Sequence, residues 1–167
     1  MRYRSDHFVA HGSLRDIVVL DADIEDWQQM LSSLASSFWE VFLSVDFPGE
    51  PQETPVDARR LFEELESNSD ASARLEIRVD GVSFRCYFFQ SDEIEFTFDP
   101  IEVQDETSFQ AVVQFMTWLG DLCGKRVIMT METAEHAAIP ALLDYVPTSV
   151  GRVMALLRMG VGERGWV

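Results

Sequence analysis

The stretch 73–89, ARLEIRVDGVSFRCYFF, leaves this chain the least freedom. Ala73, Leu75, Ile77 and Val79 alternate with Arg74, Glu76, Arg78 and Asp80, the period of two that a strand with one buried face requires. Asp80-Gly81 between the two runs is a strong two-residue hairpin turn. Folding about it sets Val79 opposite Val82, Ile77 opposite Phe84 and Leu75 opposite Cys86 on the apolar face. The polar face then pairs Glu76 with Arg85 and Arg74 with Tyr87. A slip of one residue would turn every apolar side chain to water, so pattern and turn specify one register.

The next stretch, SDEIEFTFDPIEVQDE (91–106), carries seven carboxylates and no Lys or Arg. Ile94, Phe96 and Phe98 alternate with Glu93, Glu95, Thr97 and Asp99, which makes a third strand of a meander. A short turn at Gln90–Asp92 would put Glu95 opposite Tyr87 and Thr97 opposite Arg85. The carboxylates are then a solvated face first, and a site where something basic docks.

Around the meander, "IVVL" within 14–20 reads as a short strand, and Ile24, Trp27, Leu31 and Leu34 follow at helical spacing behind Asp23 as N-cap. Phe38–Val45 reads as a second strand, closed by a Pro-rich loop. Thr54-Pro55-Val56-Asp57 reads as an N-cap followed by Pro at the first helical position, leading a short helix with Ala58, Leu61, Phe62 and Leu65 inward. Asp105 to Ser108 suit the start of a long helix bearing Phe109, Val112, Met116 and Leu119, which Gly124 ends. Lys125–Glu132 is a further strand, and Ser149–Met159 is a candidate final helix. The expected architecture is α+β: a largely antiparallel sheet with a three-stranded meander over 73–99 and helices packed on one face. The other face is polar, with Tyr87 and Phe89 on it.

Nothing divides the 167 residues, so a single domain is expected over 1–167, with 1–12 and 160–167 as frayed ends. The chain has 29 acidic against 13 basic residues, twelve of them Arg and one Lys, for a net charge of −16. Such a field repels nucleic acid and anionic membranes and steers basic partners inward; solubility alone is the plainer explanation. Cys86 and Cys123 form no metal or redox motif, no cofactor motif is present, and neither a signal peptide nor a long apolar run appears. The expected location is the cytoplasm.

Chemistry-bearing patterns are sparse. "IVVLDADIED" resembles the first motif of haloacid-dehalogenase-type phosphatases, in which Asp21 would attack phosphorus and Asp23 would help hold Mg²⁺. Asp is also a favoured N-cap, and three acids crowd this helix start, so capping is the preferred reading. His7 and His11 stand four apart without the Glu of a zinc helix motif, and His136 stands alone. Tyr87 and Phe89 are the binding candidates, provided neither a helix nor the C-terminal segment covers them and Arg74 does not occupy Tyr87.

Three stretches, HGSLRDIVVLD, CYFFQSDEIEFTFDPIEV and FMTWLGDLCGKRVIMTME, are similar to small acidic immunity proteins that accompany bacterial polymorphic toxins of contact-dependent and Rhs type. The resemblance spans 8–135 and implies a non-enzymatic protein that binds and neutralises a cognate toxin. The resemblance carries over no contact residue, since these vary with the toxin; the residue pattern itself offers Asp92, Glu93, Glu95 and Asp99 to steer or pair with a basic toxin domain, and Tyr87 and Phe89 to anchor it. The chain after Pro140, with Arg152, Arg158 and Arg164, departs from the family pattern and is open to reading as a homodimer arm. A Mg²⁺-dependent phosphohydrolase at Asp21 and Asp23, or a small-ligand sensor with a pocket between helix and sheet, are the alternatives.

Overall fold

The computed structural model describes residues 1–47, 56–133 and 135–148. Among them, strands β1 (Arg15–Val19), β2 (Glu40–Asp46), β3 (Ser72–Val79), β4 (Val82–Cys86), β5 (Ile94–Phe98), β6 (Val127–Met131) and β7 (Leu143–Tyr145) form one sheet. Its order is β2-β3-β4-β5-β1-β6-β7. Every neighbouring pair is antiparallel. Helices α1 (Ile24–Leu34), α2 (Ala58–Ser67) and α3 (Glu106–Cys123) complete the α+β fold expected from sequence.

The hairpin register is the one its pattern demanded: Leu75 faces Cys86, Glu76 faces Arg85, Ile77 faces Phe84 and Val79 faces Val82. The turn is made by Asp80 and Gly81, both at positive φ. The third meander strand pairs as expected at Arg85 and Thr97. It does not pair at Tyr87 and Glu95, because β4 ends at Cys86 and Phe88 takes φ 56°. A bulky side chain at positive φ is rare and breaks strand geometry.

Each helix begins where a local hydrogen bond satisfies its first amides. Asp23 and Asp26 form a reciprocal capping box on α1, and Asp105 and Ser108 do the same on α3. Gly124 ends α3 at φ 65°, a backbone state that only glycine adopts freely. For α2 the cap is Asp57, which accepts from the Arg60 amide, so the helix starts later than the Thr54-Pro55 signal suggested; Thr54 lies outside the described residues. Ser149–Met159, the end 160–167 and the arginines proposed as a dimer arm also lie outside them.

All three helices pack on one face. Phe84 of β4 stacks on Phe115 of α3 at 4.0 Å and 4°, with Phe96 edge-on at 5.0 Å. Burying each such ring contributes roughly 2–3 kcal/mol, and Phe98 and Phe109 are buried in the same core. The N-terminal segment is packed against the body. Ser5–Phe8 form a 3-10 turn, Phe8 packs on Phe98 and Phe109, and the buried Arg15 guanidinium donates to the carbonyls of His7, Val9, Ser13 and Leu14. No helix among the described residues is long and apolar enough to cross a membrane.

The opposite face departs from the expected uniform polar surface. Over β2–β4 it is wet, with Arg74, Arg78 and Arg85 gathered round Glu76. Over β1 and β6 it is closed: Val18, Ile128 and Thr130 are buried, and chain beyond β6 lies over this part of the sheet, with the Thr133 amide donating to Asp16 and His136 set against Asp16 and Glu93. A strand shielded on both sides tolerates a carboxylate only where that carboxylate is provided with partners.

Candidate functional site

The six binding candidates fall into three places. Tyr87 and Phe89 are exposed, 40% and 76%, and stack on each other at 5.7 Å and 24°. Between them Phe88 turns inward to meet Trp27 at 5.2 Å and Phe62 at 6.2 Å. Trp27 also donates its indole N–H to the Ser91 carbonyl at 3.0 Å. The inverted backbone at Phe88 therefore fastens the loop to the core and throws both neighbours outward. An open groove of about 380 Å³, lined by Leu65, Glu66, Ser72, Phe88 and Gln90, runs beside the pair. The Arg74 guanidinium lies 6.0 Å from the Tyr87 ring, at the limit of a cation–π contact, so Phe89 is the barer of the two.

Asp92 is exposed in the same loop. Asp99, at the far end of β5, accepts from the Ile101 amide at 2.9 Å and caps a short 3-10 turn. Glu93 and Glu95 lean toward the closed part of the sheet. Glu93 accepts from His136 Nδ1 at 3.0 Å, and His136 Nε2 lies 3.2 Å from Asp16 Oδ2. Ligand atoms of Asp16, Glu95 and His136 lie within 4.8 Å of one another. The carboxylates of β5 are thus not one solvated row: part of the row is drawn into a buried polar cluster.

That cluster buries charge-bearing groups. Asp16 is 1% exposed and His136 is 3% exposed. Burial raises the Asp16 carboxyl above its ordinary pKa, against the pull of the Thr133 amide and of His136. Glu95 is raised likewise, by burial first and by repulsion from Asp16 second. Oδ1 of Asp16 and the hydroxyls of Thr97 and Thr130 are buried without a hydrogen-bond partner. These three residues stand side by side on adjacent strands, since Asp16 is the register partner of both threonines. Sequence reasoning passed over Asp16 and His136, although an acid inside an apolar strand is a signal that a partner must exist.

Asp21 and Asp23 are employed otherwise. Asp21 turns the chain at φ 56°, and its carbonyl accepts from Lys125 Nζ at 2.7 Å. Asp23 caps α1 through the Asp26 amide and receives Lys125 at 3.2 Å. That amide hydrogen bond, with help from Lys125, holds the Asp23 carboxyl below its usual range. Lys125 itself loses basicity to burial but gains more from Asp26 and Asp23, for a net rise. The chain's single lysine is thus bound to the Asp21 carbonyl and to the carboxylates of Asp23 and Asp26. His7, in the N-terminal 3-10 turn, and His11, in the exposed bend after it, belong to different local elements.

No protein-family model and no curated protein sequence matches the chain. Among solved structures, a chain of the crystal structure of the toxic C-terminal tip of CdiA from Pseudomonas aeruginosa in complex with immune protein is similar at a TM-score of 0.45 and 13% identity, over 74% of this chain and 88% of that one. A likeness of that size assigns neither partner nor activity.

Proposed function

We propose that this is a non-enzymatic protein-binding domain of the immunity type, which captures and neutralises a basic toxin domain. The observation that carries the reading is the Tyr87–Phe89 pair, stacked, exposed and held out by the buried Phe88. Exposed aromatics on a rigid loop are what an interface anchor needs, because little conformational freedom is lost when a partner covers them. The net charge of −16 speaks for a basic partner, whose encounter it would accelerate. Asp92 and Glu66 stand beside the aromatics as direct pairing candidates; Glu93, Glu95 and Asp99 contribute field along β5. The alternative of a small-ligand sensor is less favoured, since Phe84, Phe96 and Phe115 pack against one another between α3 and the sheet and the groove lies at the edge of that layer.

The test is capture from a lysate of the source cell at low and at high salt, with the wild type beside Phe89→Ala and Asp92→Lys. The expected result is one basic protein that salt releases, that Phe89→Ala loses and that Asp92→Lys retains poorly. Capture unchanged in both variants, or no partner at low salt, would overturn the reading.

A further inference from the structure

The cluster on the closed part of the sheet holds acceptors that a neutral His136 cannot all satisfy. Glu93 accepts from Nδ1 of His136, which places the ring proton on Nδ1 and turns the Nε2 lone pair toward Asp16 Oδ2, 3.2 Å away. Two lone pairs at that separation repel unless a cation lies between them, and the candidates are a proton or a metal ion. A carboxylate on the remote ring nitrogen is the arrangement that orients metal-binding histidines. The distance also suits an ion: two bonds of about 2.1 Å meeting at octahedral to tetrahedral angles hold their ligand atoms about 3.0 to 3.4 Å apart.

A second, independent feature points the same way. Thr130 is 0% exposed and stands directly opposite Asp16 on β6, and its hydroxyl has no partner. Neither has Asp16 Oδ1. An unsatisfied hydroxyl beside an unsatisfied carboxylate oxygen, both sealed from bulk water, is unfavourable for each group. A coordinated ion, with a water in its shell, would satisfy both. Charge balance agrees, since Asp16, Glu93 and Glu95 are three acids around one imidazole.

We infer that Asp16, Glu95 and His136 form a site for one divalent transition-metal ion, which clasps the 3-10 turn His136–Ala138 onto strands β1 and β5. Two carboxylates and an imidazole are hard to borderline donors, and the site has no thiolate, because Cys86 and Cys123 lie in the core on the helix side. That donor set selects Zn²⁺ or Mn²⁺ over soft ions. Glu93 positions the histidine, and Thr97 and Thr130 complete the polar wall. Asp16 and His136 are closed off while Glu95 is half-buried, so ions enter on the Glu95 side and the role is structural.

The experiment uses the full chain, stripped with a chelator and dialysed, titrated by calorimetry with Zn²⁺ and separately with Mn²⁺, and melted with and without the ion. Expected are one ion per chain and a raised Tm. Glu95→Gln should weaken binding at least tenfold and His136→Gln should abolish it, while Glu63→Gln on the exposed face of α2 leaves it unchanged. Glu93→Gln should weaken it about tenfold through the histidine's orientation. Co²⁺ as a probe should give a visible absorption spectrum that His136→Gln alters. Should His136→Gln fail to fold, Glu95→Gln, at a half-exposed position, carries the test. Absence of one-to-one binding, or equal affinity in Glu95→Gln and wild type, would overturn the site and leave a proton as the shared cation.

Discussion

Trp27 of α1 and Phe88 of the β4–β5 loop pack with ring centres 5.2 Å apart, and the same tryptophan donates to the carbonyl of Ser91. One core residue therefore sets the course of the segment that displays Tyr87 and Phe89. Phe88→Ala should destabilise the fold by about 3 kcal/mol through the cavity it leaves. Trp27→Phe, which keeps most of the packing and loses the hydrogen bond, should cost about 1 kcal/mol. Urea denaturation reads both. Hydrogen exchange should quicken in the 87–92 loop of Phe88→Ala well before it does in β3; uniform quickening would mean the loop is not separately fastened.

Lys125 joins three groups at the start of α1: the Asp21 carbonyl, Asp23 and Asp26. Replacing it with Met leaves the buried Asp26 carboxylate without its cation, so about 2 kcal/mol should be lost. Asp21→Asn keeps the carbonyl and should stay within about 0.5 kcal/mol of wild type. If Lys125→Met proves as stable as wild type in a denaturant titration, the lysine is not the staple of this corner.

Tyr145 of β7 packs over Gly120 of α3, where a Cβ would come within 2.6 Å of the ring. Gly120→Ala should cost about 1–3 kcal/mol by overpacking, despite the better helix propensity of Ala. The Tyr145 hydroxyl donates to Asp121 Oδ1 at 2.5 Å, and burial, then that bond, push its pKa up to about 12. The unfolded value is about 10. A raised native pKa means the contribution is complete below pH 10 and is lost as pH rises from 10 toward 12. Tyr145→Phe should flatten that alkaline limb of a stability profile.

Glu76 gives the opposite sign. Burial raises its pKa, but Arg78 first, then Arg85 and Arg74, outweigh this and hold it below the usual value. Its contribution is present above about pH 4.3 and fades as acid protonates it at the lower native pKa. With three partly exposed arginines the effect should be about 1 kcal/mol. Glu76→Gln should remove that acid-limb contribution, and a variant whose acid limb matched wild type would count against it.

What could be read from the sequence was what neighbours in the sequence decide. The Asp80-Gly81 turn fixed a register that the ladder reproduces, and Asp23, Asp105 and Gly124 each mark a helix end by bonds within a few residues. The polar face of β5 was misjudged because its solvation depends on chain some forty positions later, where prolines break the pattern. His136 gave no local hint of its partners, for Asp16 lies 120 positions away. Asp16 did leave a trace, as a charge beside the apolar run Ile17–Val19. The inward pull on Phe88 needed positive φ at a phenylalanine, which propensity argues against.

The placement of β1 between β5 and β6 bears on how the molecule comes into being. Arg15 has Phe98 on one side and Met131 on the other, so β1 leaves the ribosome well before either strand it pairs with. Loop closure of that span comes before the contacts that reward it, which favours slow, all-or-none acquisition of structure. The β3–β4 hairpin, by contrast, closes over two residues. Nascent chains from which Glu102 has emerged should already protect the hairpin from protease while leaving Ile17 and Val18 open to cleavage, and protection of β1 should arrive only once Met131 has emerged.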